Sequence, residues 1–221
     1  MNVLFLILTL LISIFGIYIS YLFFKKDGLY IIIGLMSILA MILSLKIANI
    51  YGFEINIGIV PFISILTCLG ILIQKYGLKD AKNGFLLSVF LSFTAFIIIF
   101  LTARYIPTVT DIIAVNVEDL IITNIRVLVG FVVSLIVSEY LYIYVYRLIG
   151  RAFDDIFISN TLAGICSSLI FSVILVAISY AFKFPHTTIM TLTLGRFLFS
   201  LFILIVHVPI MYYIDRMKKV K

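Results

Sequence analysis

Charge is what this sequence has least of. Acidic and basic residues make up 12% of its 221 positions, while 64% are hydrophobic. A soluble domain is about a quarter charged and about half apolar, so a water-facing fold of this length is excluded for want of polar surface. Tryptophan is absent, and cysteine occurs twice, as Cys68 and Cys166, each inside an apolar run. Two such cysteines rule out a disulfide framework or a zinc site of regular spacing and read as packing residues. No haem-type histidine pair is present. H-E-x-x-H, G-x-S-x-G and P-loop signatures are all missing. Asp111, Asp154, Asp155 and Asp215 fall in loops or at segment ends, not as the pair that an intramembrane aspartyl protease uses. The chain therefore does not read as an enzyme, and it calls for no metal and no cofactor. Its length suits one helical bundle and leaves no room for a soluble catalytic domain.

What is abundant is apolar length. A crossing takes about 20 apolar residues, and that measure divides the chain into seven segments: 3–24, 29–50, 57–74, 85–103, 125–148, 158–182 and 189–214. Backbone groups in lipid must bond within their own segment, so the fold class is an all-α integral membrane bundle of about seven transmembrane helices. Breaks fall at Lys25-Lys26-Asp27-Gly28, at 76–84, at 150–155 and at Phe184-Pro185-His186, where turn residues and charges gather. The connection 104–124 carries Pro107, Asp111, Glu118 and Asp119 and is expected to hold a short interfacial helix. The first segment has neither a basic n-region nor a small-residue cleavage site, so it reads as a retained helix and not a signal peptide.

The net charge of +6 does not point to nucleic acid, because the basic residues sit at the ends of apolar runs and not along one face. With the N-terminus outside, the inner loops and tail collect Lys25, Lys26, Lys75, Lys79, Lys82, Arg147, Arg151, Arg216, Lys218, Lys219 and Lys221. Only Lys46, Arg104, Arg126 and Lys183 fall near the outer ends. That bias agrees with an odd number of spans and a cytoplasmic C-terminus in a multi-pass cell-membrane protein.

Ionisable groups at membrane depth are costly and mark function more often than surface charges do. Arg126, Glu139, Arg196 and His207 stand out. Glu139, near the middle of the fifth run, reads either as a packing hydrogen bond or as a ligand contact. Arg196 and His207 are eleven residues apart, close to three turns, and share a helix face. Arg196 either snorkels to the interface or joins an inward polar seam, and Pro209 after His207 frees a backbone carbonyl. Asn160, Gly164 and Ser168 repeat every four residues along one face, which suits close helix packing or a polar ligand. Tyr140 is expected to offer a ring for stacking, while Tyr142, Tyr144 and Tyr146 fit an aromatic belt.

Residues 47–107 resemble the vitamin-uptake-transporter-like family that includes the queuosine precursor transporters. The resemblance rests on Ala48-Asn49, Gly52-Phe53, Pro61 and Tyr76-Gly77-Leu78-Lys79-Asp80-Ala81. It continues through Arg126, Ser138-Glu139, Tyr144-Val145-Tyr146-Arg147-Leu148, Asn160-Thr161-Leu162-Ala163 and Ser167-Ser168-Leu169-Ile170. Arg196, Pro209 and Tyr212 close it, so that it spans about 29–214. The chain departs from the pattern where family members carry acidic or amide groups: Gly70, Gln74, Ser168 and Phe171 replace them, and Glu139 stands where a neutral amide is common.

The resemblance implies a six-helix transporter-like domain at 29–221, preceded by an additional N-terminal helix at 1–28. It further implies uptake of a small polar solute, for which a 7-deazaguanine such as preQ0 is the expectation. Glu139, Asn160, Ser168, Arg196, Arg126, His207 and Tyr140 form the expected binding set, with an arginine balancing Glu139. Partners are the lipid bilayer and a small-molecule substrate, together with a homo-oligomer or an energy-coupling partner. One alternative is a substrate-binding or scaffolding subunit of a larger complex; another is an intramembrane enzyme.

Overall fold

The computed structural model describes residues 1–106, 121, 124–153 and 155–217. Its first helix, α1 (Asn2–Leu43), holds 42 residues. Drawn straight it would run about 63 Å at ~1.5 Å per residue, twice a hydrocarbon core of ~30 Å. It folds back instead. Lys25 leaves helical backbone (φ 52, ψ −121), and Ser20 Oγ donates to the Gly28 carbonyl at 2.9 Å, although a continuous helix would hold residues 20 and 28 about 12 Å apart. A side chain on Gly28 would run into the Ser20 carbonyl, so this crossing requires glycine. At the far end Asn2 Nδ2 donates to the Asn49 carbonyl at 2.9 Å, which closes limbs 2–24 and 26–43 into an antiparallel pair. Among the described residues six helices are long and apolar enough to cross a membrane; the first, folded into two limbs, accounts for two crossings, in keeping with the seven expected.

The second limb ends before the expected residue 50. Past Leu43 the chain forms β1 (Ile47–Ile50) and β2 (Phe53–Asn56), antiparallel, with Ile47 opposite Asn56 and Ile50 opposite Phe53. Tyr51 (φ 51) and Gly52 (φ 85) supply the two positive φ angles of a tight hairpin turn, and Asn49 Oδ1 accepts from the Gly52 N–H at 3.1 Å. A short apolar run looks alike as helix or strand, which is why the sequence reading overran. Asn56 Nδ2 ties the hairpin to the bundle, donating to the Ser44 carbonyl at 2.8 Å and to Tyr180 Oη at 3.1 Å.

The remaining helices are α2 (Ile59–Tyr76), α3 (Leu78–Thr102), α4 (Ile125–Ala152), α5 (Ile156–Tyr180) and α6 (His186–Arg216). The interfacial helix expected in 104–124 falls mostly outside the described residues. Buried along nearly all its length, α2 is the central rod on which each of the other described helices packs. On α3 the usual size pattern is inverted: Leu86, Phe90, Phe93, Ile97 and Leu101 face outward, while Ala81, Gly84, Ser88 and Ser92 are buried. Large groups meet lipid and small ones let helices approach. Lys75, expected among the loop charges, is buried and donates to the carbonyls of Ile214 at 2.5 Å and Met217 at 2.6 Å. It caps the C-terminus of α6, whose last carbonyls lack helical partners and attract a cation.

The bundle thus has a basic end, with Lys25, Lys26, Lys79, Lys82, Arg147, Arg151 and Arg216, and an opposite end bearing the β-hairpin. Gly28→Ile is expected to weaken the folded bundle by about 1–3 kcal/mol through overpacking. Gly16→Ala, whose Cβ meets only ordinary contact with Ile32, is expected to be near neutral. Thermal unfolding of both variants in the same detergent checks the pair.

Candidate functional site

Glu139 lies on the inner face of α4 and is 0% exposed. Ser88 of α3 donates to its Oε2 at 2.5 Å, and Oε1 has no partner. The ion pair recorded among the described residues is Lys26–Asp80 at the basic end; none involves Glu139. Arg126 is exposed on the first turn of α4, about 20 Å from Glu139 at ~1.5 Å per residue. Arg196 of α6 is buried, with its guanidinium 4.7 Å from the Phe171 ring centre and no partner for Nη1 or Nη2. Phe171 in turn packs edge-on against Phe131 at 5.6 Å, eight residues or about 12 Å up α4 from Glu139. Among the described residues neither arginine is paired with Glu139.

One turn of α4 toward the basic end, Tyr142 Oη donates to Asn160 Oδ1 of α5 at 2.6 Å, leaving Asn160 Nδ2 without a partner. Both press on α2 at Gly70, where a Cβ would sit 2.5 Å from Tyr142 Oη, 2.6 Å from Met211 Cε and 3.4 Å from Asn160 Oδ1. At this position, which departs from the family pattern, a Cβ would have to displace the Tyr142 hydroxyl and the Met211 methyl group. Nearer the basic end, Tyr146 Oη donates to Gln74 Oε1 at 3.4 Å. Starting from that end, Gln74–Tyr146, Asn160–Tyr142, Glu139–Ser88, Arg196–Phe171 and Asn56–Tyr180 make a column of polar groups that follows α4 and α5 across the bundle.

The other expected residues make none of these polar pairs, although Ser168 lies on the Asn160–Phe171 face of α5. Ser168 is buried, but its hydroxyl donates to the Ile165 carbonyl of its own helix at 3.2 Å. Its neighbour Ser167 makes the cross-helix bond instead, to the Ser138 carbonyl at 2.9 Å. His207 is a packing hub. Its Nδ1 lies 2.9 Å from the Ile203 carbonyl, and its Nε2 lies 3.3 Å from Ser13 Oγ and 3.3 Å from Ser64 Oγ. That ties the first limb of α1 and α2 to α6. Tyr140 is 63% exposed and stands 6.4 Å from Phe85 in an outward groove, on the face of α4 away from Glu139. Ser88, Tyr142, Phe171 and Gly70 escaped the sequence reading as site residues. The available signal was helical spacing: Tyr142 lies one turn from Glu139, and Phe171 lies one turn from Ser168.

An unpaired buried polar atom costs about 1–3 kcal/mol, and more if charged. Glu139 Oε1, Asn160 Nδ2 and both Arg196 Nη atoms thus offer one acceptor and three donor groups to a polar solute, with the Phe171 and Phe62 rings, 3.9 Å apart at their centres, as apolar walls. A multi-spanning helical bundle with such a column at its centre has the build of a membrane protein that conducts or binds a solute.

Comparison with known proteins gives the family. Residues 56–214, which hold α2 to α5, nearly all of α6 and every polar residue of the column, match the family described as "Putative vitamin uptake transporter". The chain belongs to that family. It is also 23% identical over 197 residues to the "Probable queuosine precursor transporter" of Bacillus subtilis (strain 168), an alignment covering 88% of this chain and 86% of the relative. No solved structure matches the chain.

Gly70→Ala is expected to push the Tyr142 hydroxyl off Asn160, and Tyr142→Phe removes the same bond without crowding. Each should lower stability by about 1–3 kcal/mol. In the double variant the losses should combine to less than their sum, since both act on one contact. Denaturant titration of the four proteins tests the coupling.

Proposed function

We propose that this chain takes up a queuosine precursor, a 7-deazaguanine such as preQ0, through the column between α2, α4, α5 and α6. One observation carries the reading: Glu139, buried at mid-bundle, has one oxygen held by Ser88 and the other unpartnered. A carboxylate so placed accepts from ring and exocyclic N–H groups, while Asn160 Nδ2 donates to the ring carbonyl one turn away. Arg196 over Phe171 offers donors and an aromatic face nearer the hairpin end. The B. subtilis relative bears the name of a queuosine precursor transporter, and its length is matched almost throughout. The Gly70 and Phe171 departures leave Glu139 as the carboxylate of the inner site.

The basic end faces the cytoplasm in this reading and the N-terminus lies outside, as the lysine and arginine bias requires. Residues 1–28 add a limb to the six-helix unit at 29–221; the matched family pattern begins later still, at residue 56.

Cells expressing the chain should accumulate labelled deazaguanine above an empty-vector control, and Glu139→Gln should reduce the initial rate about tenfold or more, the worth of a hydrogen bond to a charged group. No accumulation by the wild type, with the protein present in the membrane, contradicts the assignment. For orientation, single cysteines at Tyr51 and at Lys26 should react with an impermeant thiol reagent from outside and only after permeabilisation, respectively.

A further inference from the structure

Outside the polar column, one feature of the surface combines chemistry with shape. Between the start of α3 and the end of α4 runs a groove of about 250 Å³ lined by Leu78, Lys82, Phe85, Leu86, Tyr140, Ile143, Tyr144 and Arg147. The two helices are antiparallel, so Lys82 and Arg147 both stand at the basic rim while Leu86 and Tyr140 lie deeper toward the bilayer middle. From Arg147 to Tyr140 the groove descends about 10 Å at ~1.5 Å per residue. Phe85 and Tyr140, with ring centres 6.4 Å apart, form its lower wall.

Both rim cations are exposed. Lys79 and Arg151, one turn beyond each along the same helices and also exposed, widen the positive rim. No lining residue is acidic. The nearest carboxylate along α3, Asp80, is already engaged on the opposite side by Lys26 and Tyr30, each at 2.9 Å.

We infer that this groove is a binding site for an anionic phospholipid of the leaflet at the basic end. The order of groups from rim to floor repeats that of the lipid: two cations for the phosphate, Tyr144 at the glycerol level, then the Phe85 and Tyr140 rings and aliphatic walls for the start of an acyl chain. A soluble phosphate would use the rim but leave the apolar wall unexplained. A zwitterionic lipid would use the wall but bring a cationic headgroup to Lys82 and Arg147. The groove also explains Tyr140, which adjoins Glu139 in sequence but points away from it. Because α3 and α4 also carry the Ser88–Glu139 hydrogen bond, the lipid bridges the two helices on their outer side where that bond joins them on the inner side.

The test uses the purified full chain equilibrated with phosphatidylglycerol and phosphatidylcholine of identical acyl chains, with retained lipid counted by native mass spectrometry. Phosphatidylglycerol should be retained preferentially, and Lys82→Gln with Arg147→Gln should reduce the preference about tenfold, on the scale of attraction per basic residue at a membrane surface. Lys46→Gln with Arg104→Gln, at the opposite end, should leave it unchanged. Equal retention of the two lipids by the wild type overturns the inference. So does full displacement by millimolar glycerol phosphate, which would make the site a phosphate site without a tail. An equal loss in the two double variants would reduce the effect to overall charge and overturn it too.

Discussion

In lipid a polar side chain finds its partner inside the protein or goes without, and every feature of this molecule answers to that constraint. The outer faces of the helices are large and apolar because acyl chains solvate them. The inner faces hold serines, tyrosines, amides and charges because nothing outside can receive them. Most of these groups are satisfied within the bundle: Asn56 by Ser44 and Tyr180 through its Nδ2, His207 by Ile203 and flanking serines, Lys75 by the end of α6. Glu139 Oε1, Asn160 Nδ2 and the two Arg196 Nη atoms are among the buried groups left without a partner, and the proposed function uses them as its contacts to solute.

The architecture follows from how the rods approach one another. Central α2 admits five neighbouring helices only where its own side chains are small or shaped to fit, and at Gly70 the space belongs to Tyr142 from α4. The same logic turns α1 back on itself at Gly28. A column of polar groups can then run across the bundle without touching lipid, because α4 and α5 lie antiparallel and press their polar faces together. Glu139 and Arg196 lie apart along this column, each with a buried polar atom left without a partner.

The sequence made the number of crossings legible, since apolar length and end charges are one-dimensional quantities. It also exposed Glu139, Asn160 and Arg196, because an ionisable or amide group deep in an apolar run is rare enough to stand out. What it concealed were facts of rotation and pairing. Tyr140 and Tyr142 are two residues apart yet lie on opposite sides of α4, one in a lipid-facing groove and one on Asn160. Lys75 resembles any other loop charge until α6 ends beside it. Ser88 has no mark in the sequence, being one serine among many, until α3 sets it against Glu139. The β-hairpin was hidden for a different reason: strands of four residues carry too little periodicity to tell a strand from the tail of a helix.

The central claim is that the α4–α5 column is a path for solute and not merely a seam. In a chain with Cys68 and Cys166 replaced by alanine, Ser168→Cys and Leu169→Cys put a thiol on adjacent sides of α5, one toward the column and one toward lipid. The account predicts that a water-soluble thiol reagent modifies position 168 in membranes far faster than position 169, and that a 7-deazaguanine slows the reaction at 168. Equal rates at the two positions, or a rate at 168 indifferent to the solute, would contradict it.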